Sequence, residues 1–416
     1  MCSVGDEGLT LMESPHTDFL SDNTCKKCQQ ENTAEVILRK KDIYCKSCFL
    51  VNATHKFRAA LGKSKIIRQG DKVLVAFSGS ASSIAMVHLI NSGLSMNTHK
   101  KLIFDPFVVY VDEGACYGLS PDKRQEMLQE IRDLLKDYHI PAYSTSIEMM
   151  FNNEKICPIN DVASYSKCSE LDQILAEFKC STARQDFLKK LRYKTLLEAA
   201  ALLGCSKILT AETLVDTASN ILSNISLGRG AQLPYDVGFC DSRLEGIKVL
   251  RPMQEYGSEE IEYYNKFHEL NSIKDYSCRI SMKPIDSIQN LTKKFVTDLQ
   301  ENFPSTVSTV YRTGAKLSIG NEDSNVNEKC ALCQVICSDM KTISTPDETS
   351  CNGKKCNCKS DNTLTKEEMV DSLCYGCRLI LKEVGSIDHL PRFVKDLAER
   401  SSKLKQMRAE IKDFLL

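Results

Sequence analysis

The sequence predicts an α/β protein, a parallel and doubly wound sheet flanked by two four-cysteine zinc modules. Three observations lead there. Short β-branched runs alternate with amphipathic helical stretches through the middle of the chain. Pairs of the form Cys-x2-Cys stand on both sides of that region. Small residues fill the turn between the first central strand and the first central helix. At 416 residues and 46.7 kDa the chain has room for about two or three domains.

Residues 1–24 read as an acidic, disordered N-terminus. The first twenty carry Asp6, Glu7, Glu13 and Asp18, with neither Lys nor Arg and no apolar segment. That pattern fits neither a secretory signal nor a mitochondrial presequence, so a cytoplasmic address is expected. The longest apolar runs, such as Ala199 to Leu203, fall far short of a membrane span. In a reducing compartment the twenty cysteines are not expected to pair as disulfides, and clustered thiols there usually hold metal.

Residues 25–55 carry the first cluster. Cys25-x2-Cys28 is followed, after sixteen residues, by Cys45-x2-Cys48, the spacing of a zinc ribbon. Each pair presents two thiolates, and two pairs complete a tetrahedron. Ala34 to Leu38 and the basic Arg39 to Lys41 read as a hairpin between them. Lys plus Arg (54) and Asp plus Glu (55) nearly balance over the chain, so a nucleic-acid surface must be a local patch. Residues 25 to 72 offer one: twelve Lys or Arg against four Asp or Glu, a local charge of about +8. Lys26, Lys27, Arg39, Lys40, Lys41, Lys46, Lys56 and Arg58 are its leading phosphate contacts, with Tyr44, Phe49 and Phe57 as stacking aromatics. By composition alone, a solvated face around a small metal module explains the same charges.

Residues 56–325 form the α/β domain. Val73 to Phe77 is a buried strand, Ser78 to Ser83 a small-residue loop, and Ile84 to Ile90 the start of a helix. Strands are expected at Asp105 to Val111, Ala142 to Ile147, Lys207 to Thr210 and Ile247 to Leu250. Helices are expected at Pro121 to Tyr138, Arg184 to Leu203 and Leu214 to Leu227. Ligands of such sheets bind at the carboxyl ends of the strands, where Ser78, Gly79, Ser80, Ser82 and Ser83 lie. The loop suits a phosphate, although any strand-to-helix turn also favours small residues.

Residues 326–385 carry the second cluster, Cys330-x2-Cys333 and Cys374-x2-Cys377, separated by forty residues. A flexible insertion is expected over 337–365, with Cys337, Cys351, Cys356 and Cys358 as either solvent-exposed thiols or ligands of a further metal. Both four-cysteine sites are structural, because four thiolates leave no open position for a substrate water. Residues 386–416 read as a C-terminal helix with an apolar stripe of Phe393, Val394, Leu397, Leu404, Met407, Ile411 and Leu415. His88, on the helix after the loop, reads as packed rather than catalytic.

Taken together, ribbon, loop and sheet resemble the pyrophosphatase-loop ATPases that thiolate tRNA, which share the adenine nucleotide α-hydrolase-like fold. The family loop is Ser-Gly-Gly-x-Asp-Ser. Here Ser78, Gly79 and Ser83 fit, while Ser80 replaces the second glycine and Ser82 the aspartate. Losing that carboxylate removes an anchor for magnesium, which argues against an ATP site. Val111 to Gly114 matches the acidic turn of the second strand. Cys180-Ser-Thr-Ala183 keeps one cysteine of the family's catalytic pair, and Cys278 stands where a distal cysteine is expected. The stretches Leu250 to Met253, Asn302 to Thr313 and Lys316-Leu317 are similar to the non-catalytic branch of this family.

The resemblance spans residues 20 to 385. It implies a heterodimer with a catalytic, ATP-using thiolase subunit that modifies the wobble uridine of Lys, Glu and Gln tRNAs. Sulfur would come from the thiocarboxylate of a ubiquitin-related carrier. With it, tRNA becomes the expected partner of the basic patch and of a second run from Lys179 to Lys194. Two other readings stay open on the residues alone: a self-sufficient tRNA sulfurtransferase, and a zinc-dependent RNA-binding scaffold without sulfur chemistry.

Overall fold

The computed structural model describes residues 23–95, 101–152, 156–161, 168–244, 246–273, 287–317, 329–336 and 364–412. The chain divides into two compact units, Met1–Thr54 and His55–Leu416.

In the first unit, β1 (Val36–Leu38) and β2 (Asp42–Tyr44) pair antiparallel, with Val36 opposite Tyr44 and Leu38 opposite Asp42. The basic residues Arg39 and Lys40 form the turn, both with positive φ (53° and 61°), a conformation that glycine or asparagine usually supplies. Val36 and Leu38 point inward with Cys25 and Cys45. Helix α1 (Lys46–Ser64) starts immediately after Cys45 and buries Phe49 and Ala53.

The second unit is built on a seven-stranded sheet of order β6-β5-β4-β3-β7-β9-β8. Strands β3 (Lys72–Phe77), β4 (Asp105–Asp112), β5 (Ala142–Ser146), β7 (Lys207–Leu209) and β9 (Lys248–Leu250) are parallel. Val73 to Val75, Val108, Val109, Ile208, Leu209, Val249 and Leu250 are buried, the continuous apolar character of strands covered on both faces. Two short edge strands, β6 (Cys157–Pro158) and β8 (Cys240–Asp241), run antiparallel; at two residues each they carry no periodicity to read in sequence.

Around the sheet lie α2 (Ala81–Leu94), α3 (Pro121–Leu135), α4 (Ser169–Glu177), α5 (Ser181–Leu203), α6 (Leu214–Ser226), α7 (Leu233–Val237) and α8 (Ser258–Phe267). Next come α9 (Ile288–Asn302) and α10 (Pro304–Gly314), whose Val296, Val307 and Tyr311 pack on Leu214, Val215 and Ala218 of α6. The last helices are α11 (Lys366–Asp371), α12 (Tyr375–Glu383) and α13 (Arg392–Lys412). They join α4 and α5 in one continuous apolar cluster that includes Leu171, Ile174, Phe187, Leu191, Met369, Ile380 and Val394. The C-terminal stripe therefore divides: Val394 is buried and Phe393 and Leu397 pack half-buried against that cluster, while Leu404, Met407 and Ile411 are exposed. Leu415 lies outside the described residues.

Candidate metal centres and strand-end site

The thiol sulfurs of Cys25, Cys28, Cys45 and Cys48 lie within 4.8 Å of one another, and so do those of Cys330, Cys333, Cys374 and Cys377. A tetrahedron with metal–sulfur bonds of about 2.3 Å has edges of about 3.8 Å. The separations of 3.9 Å for Cys28–Cys45 and 3.5 Å for Cys333–Cys374 sit close to that edge. Both donor sets fit a four-thiolate metal.

The two clusters repeat one local design. In each first pair the residue after the second cysteine is a glutamine in the left-handed region, Gln29 (φ 58°) and Gln334 (φ 61°). Its backbone N–H donates to the carbonyl of the pair's first cysteine at 2.9 Å, in both turns. Each second pair opens a helix, Cys45 before α1 and Cys374 before α12. Phe49 N–H returns to the Cys45 carbonyl and Arg378 N–H to that of Cys374. A glutamine turn facing a helix start thus brings four thiols together twice, across spacers of very different length.

Crowded thiols cannot all ionise unaided. Burial alone would raise Cys25, but backbone N–H groups of Cys28, Cys45 and Lys27 outweigh it and hold it at about 6. Hydrogen bonding to Cys45, then burial, pushes Cys48 up to about 12. A divalent cation removes that conflict by accepting all four sulfurs as thiolates. The second set is the more enclosed, with Cys330 and Cys377 fully buried and Cys333 and Cys374 nearly so. Gln232, outside both pairs, donates its Nε2–H to Cys374 Sγ at 3.0 Å. Cys337, Cys351, Cys356, Cys358 and Cys278 lie outside the described residues.

At the carboxyl end of β3, Gly79 adopts φ +77° and Ser80 caps α2, accepting from Ser83 N–H at 3.4 Å. The hydroxyls of Ser78, Ser80, Ser82 and Ser83 bond one another at 3.0 to 3.4 Å. Ile273 donates its backbone N–H to Gly79 O at 2.8 Å, and its side chain lies against Gly79. The loop keeps the strand–turn–helix shape, but its own side chains offer hydroxyls and no carboxylate for a cation.

The neighbouring strand ends are closed by ion pairs. Asp112 accepts from Gly114 N–H at 2.8 Å and from Arg124 at 2.6 Å, and Arg124 reaches Glu148 at 2.7 Å, all deeply buried. Glu113 pairs with Arg192 of α5. Glu212 pairs with Arg251 at 3.1 Å. Cys180 is exposed at the start of α5, where its N–H and that of Lys179 both donate to Glu383. In the second basic run, Arg192 is taken by Glu113, Lys189 bonds Asn220 at 2.7 Å, and Lys194 lies 3.6 Å from Glu198.

In the basic patch, Lys27, Arg39, Lys40, Lys41 and Lys46 are exposed and Arg58 is half-buried. Lys26 is exposed but paired with Asp42 at 2.6 Å. Two expectations need correcting. Lys56 is half-buried against Glu260 at 2.9 Å and over the Tyr256 ring, so its charge is already compensated. Phe49 and Phe57 are each 1% exposed and serve the core, leaving no face for a base. His88 shares a 2.8 Å hydrogen bond with Tyr264 and packs on His268. Sequence reasoning missed Gln232, Arg124 and Glu148, because nothing local marks a glutamine or an ion pair whose partners are brought in by the fold.

Residues 50–281 match the family profile of the PP-loop domain, and residues 287–379 match that of cytoplasmic tRNA 2-thiolation protein 2. The chain is 33% identical to cytoplasmic tRNA 2-thiolation protein 2 of Xenopus tropicalis, covering 94% of each chain. It is 34% identical to protein 2-A of Xenopus laevis, covering 100% of this chain and 99% of the other. The Danio rerio protein 2 is 30% identical, again over 100% and 99%. Among solved structures, the U34-tRNA thiolase of Methanococcus maripaludis, determined with its [4Fe-4S] cluster, matches at TM-score 0.53 and 17% identity. That match covers 75% of this chain and 90% of the other, and it shows a shared fold. Sequence along the whole chain and topology agree: this chain belongs to the cytoplasmic tRNA 2-thiolation protein 2 family and is built on a pyrophosphatase-loop domain.

Proposed function

We propose that this chain is the non-catalytic subunit of a cytosolic complex that makes 2-thiouridine at the wobble position of Lys, Glu and Gln tRNAs. A partner thiolase subunit with an intact loop uses the ATP and receives sulfur from a thiocarboxylated ubiquitin-related carrier. The observation that carries this division of labour is the strand-end loop. Ser82 stands where the family's cation-binding aspartate is expected, and the loop's own side chains are hydroxyls that lie 3.0 to 3.4 Å from one another. Cys180, with Ala183 in place of a second cysteine, supports the same reading. No catalytic role is assigned to Cys180 or Cys278.

In this reading the four-thiolate sites hold structural zinc, and the N-terminal basic turn contributes tRNA contacts through Lys27, Arg39, Lys40, Lys41 and Lys46. Such contacts act on phosphates, so binding weakens steeply with salt. Cells lacking the chain are expected to lose 2-thiouridine from bulk tRNA, read by retardation on mercury-containing gels. Re-expression of Cys180→Ala should restore it, whereas unchanged thiolation in cells without the chain would sink the proposal. Reversing Lys40 and Lys41 to Glu should lower tRNA affinity and flatten its salt dependence; equal affinity would remove the basic turn from the interface.

A further inference from the structure

The turn between α6 and α7 reaches into the second cysteine cluster. Gln232, nearly buried, donates Nε2–H to Cys374 Sγ at 3.0 Å. Three residues earlier, the buried Arg229 side chain lies under Gly376, between Cys374 and Cys377. A Cβ at Gly376 would sit 2.8 Å from Arg229 Nε and 3.1 Å from its Cδ, so this close approach requires glycine. Arg229 is itself anchored by Asp186 of α5, which also accepts from Gln289 of α9 at 2.8 Å. The turn is internally fixed, with Gln232 N–H donating to Arg229 O at 3.1 Å and Arg229 N–H to Asn224 O at 2.8 Å.

A divalent ion held by four thiolates leaves a net charge of minus two in a buried site. Such charge is stabilised by hydrogen-bond donors, which outer-shell partners supply. A thiolate accepts strongly from an amide N–H, whereas a neutral thiol accepts weakly. A buried carboxamide aimed at sulfur is therefore matched to the metal-bound state. We propose that Gln232 is a positioning residue of the second metal centre, donating to the Cys374 thiolate, while Arg229, tied to Asp186, fixes the turn beneath Gly376. The α6–α7 turn and the metal then hold one another in place. This rests on the reading of the cluster as a metal site.

The test uses the full chain loaded with zinc, and again with cobalt. Zinc transfer to a competing chelator should be biphasic, one equivalent per cluster. In Gln232→Leu the second-cluster equivalent should bind about 10–100-fold more weakly, while the first serves as an unchanged internal standard. Its thiolate-to-cobalt absorption band should move to longer wavelength, because an unbonded sulfur gives up charge more easily. Gln232→Glu, the same size but unable to donate when ionised, should lose more. Native zinc affinity and an unshifted cobalt band in both variants would overturn the inference. A native chain that binds only one equivalent would instead overturn the metal reading itself. Should Gln232→Leu fail to fold, NMR of the native chain loaded with spin-active cadmium decides. Scalar coupling from the Gln232 amide protons to cadmium across sulfur is expected, and its absence would refute the bond.

Discussion

Gly79 and His88 show how single residues are fixed by their surroundings. Gly79 turns the chain from strand into helix at φ +77°, and a Cβ there would lie 2.9 Å from Ile131 Cδ1. Gly79→Ala combines a left-handed penalty with a clash and should cost about 1–3 kcal/mol. A lower denaturant midpoint at constant slope would record it, and an unchanged midpoint would refute it. At His88, burial first, and then the neighbouring His268, hold the imidazole down at about 4 against an ordinary 6.5. The folded pKa is depressed, so the unfolded chain binds more protons between those values. The stability contributed by neutral His88 is present above pH 6.5 and is lost as pH falls toward 4. His88→Gln should flatten that limb of the melting temperature, and an imidazole seen to titrate near 6.5 by NMR would contradict the assignment.

At the scale of elements, α6 depends on its first turn. Thr213 caps it, and Asp216 completes a capping box by accepting from Thr213 N–H at 3.1 Å, with Lys293 of α9 at 3.2 Å. Burial raises the Asp216 carboxyl, but Lys293 and the Thr213 hydrogen bonds outweigh it and hold it below the ordinary 3.8. Its stabilisation is therefore present above pH 3.8 and lost as pH falls through the lower folded value. Asp216→Asn should cost about 1 kcal/mol at neutral pH, and the difference from the native chain should shrink in acid. A constant difference at both pH values would remove the charge from the explanation. The paired glutamine turns are an element-level repeat too. Cys-x2-Cys-Gln occurs twice in the sequence, but the shared backbone geometry at Gln29 and Gln334 emerges only in the fold.

For the molecule as a whole, the two units differ in what can hold them. The unit that ends at Thr54 buries Val36, Leu38, Phe49 and Ala53 beside its cysteines, too little apolar surface to offset chain entropy without metal. Cys25→Ser or Cys48→Ser should unfold residues 25–54 and release one metal equivalent, leaving the second in the larger unit. Metal analysis and limited proteolysis would check this. Stoichiometric retention of both equivalents in either variant would show that the first cluster is not a structural site.

The five central parallel strands, the helices that follow them at Pro121, Arg184 and Leu214, and the eight cysteines of the two centres are legible in the residues alone. Those features rest on local periodicity and fixed spacing, which a chain carries without knowing its neighbours. Which charges are compensated follows from packing between distant segments. Lys56 and Arg192 look like free cations until Glu260 and Glu113 arrive from distant segments. The same holds for Phe49 and Phe57, whose burial follows from packing rather than from any local signal. Gln232 is the clearest case, since it meets Cys374 across 142 positions of chain. Desolvation and pairing depend on what the fold brings within a few ångströms, and only the assembled core specifies that.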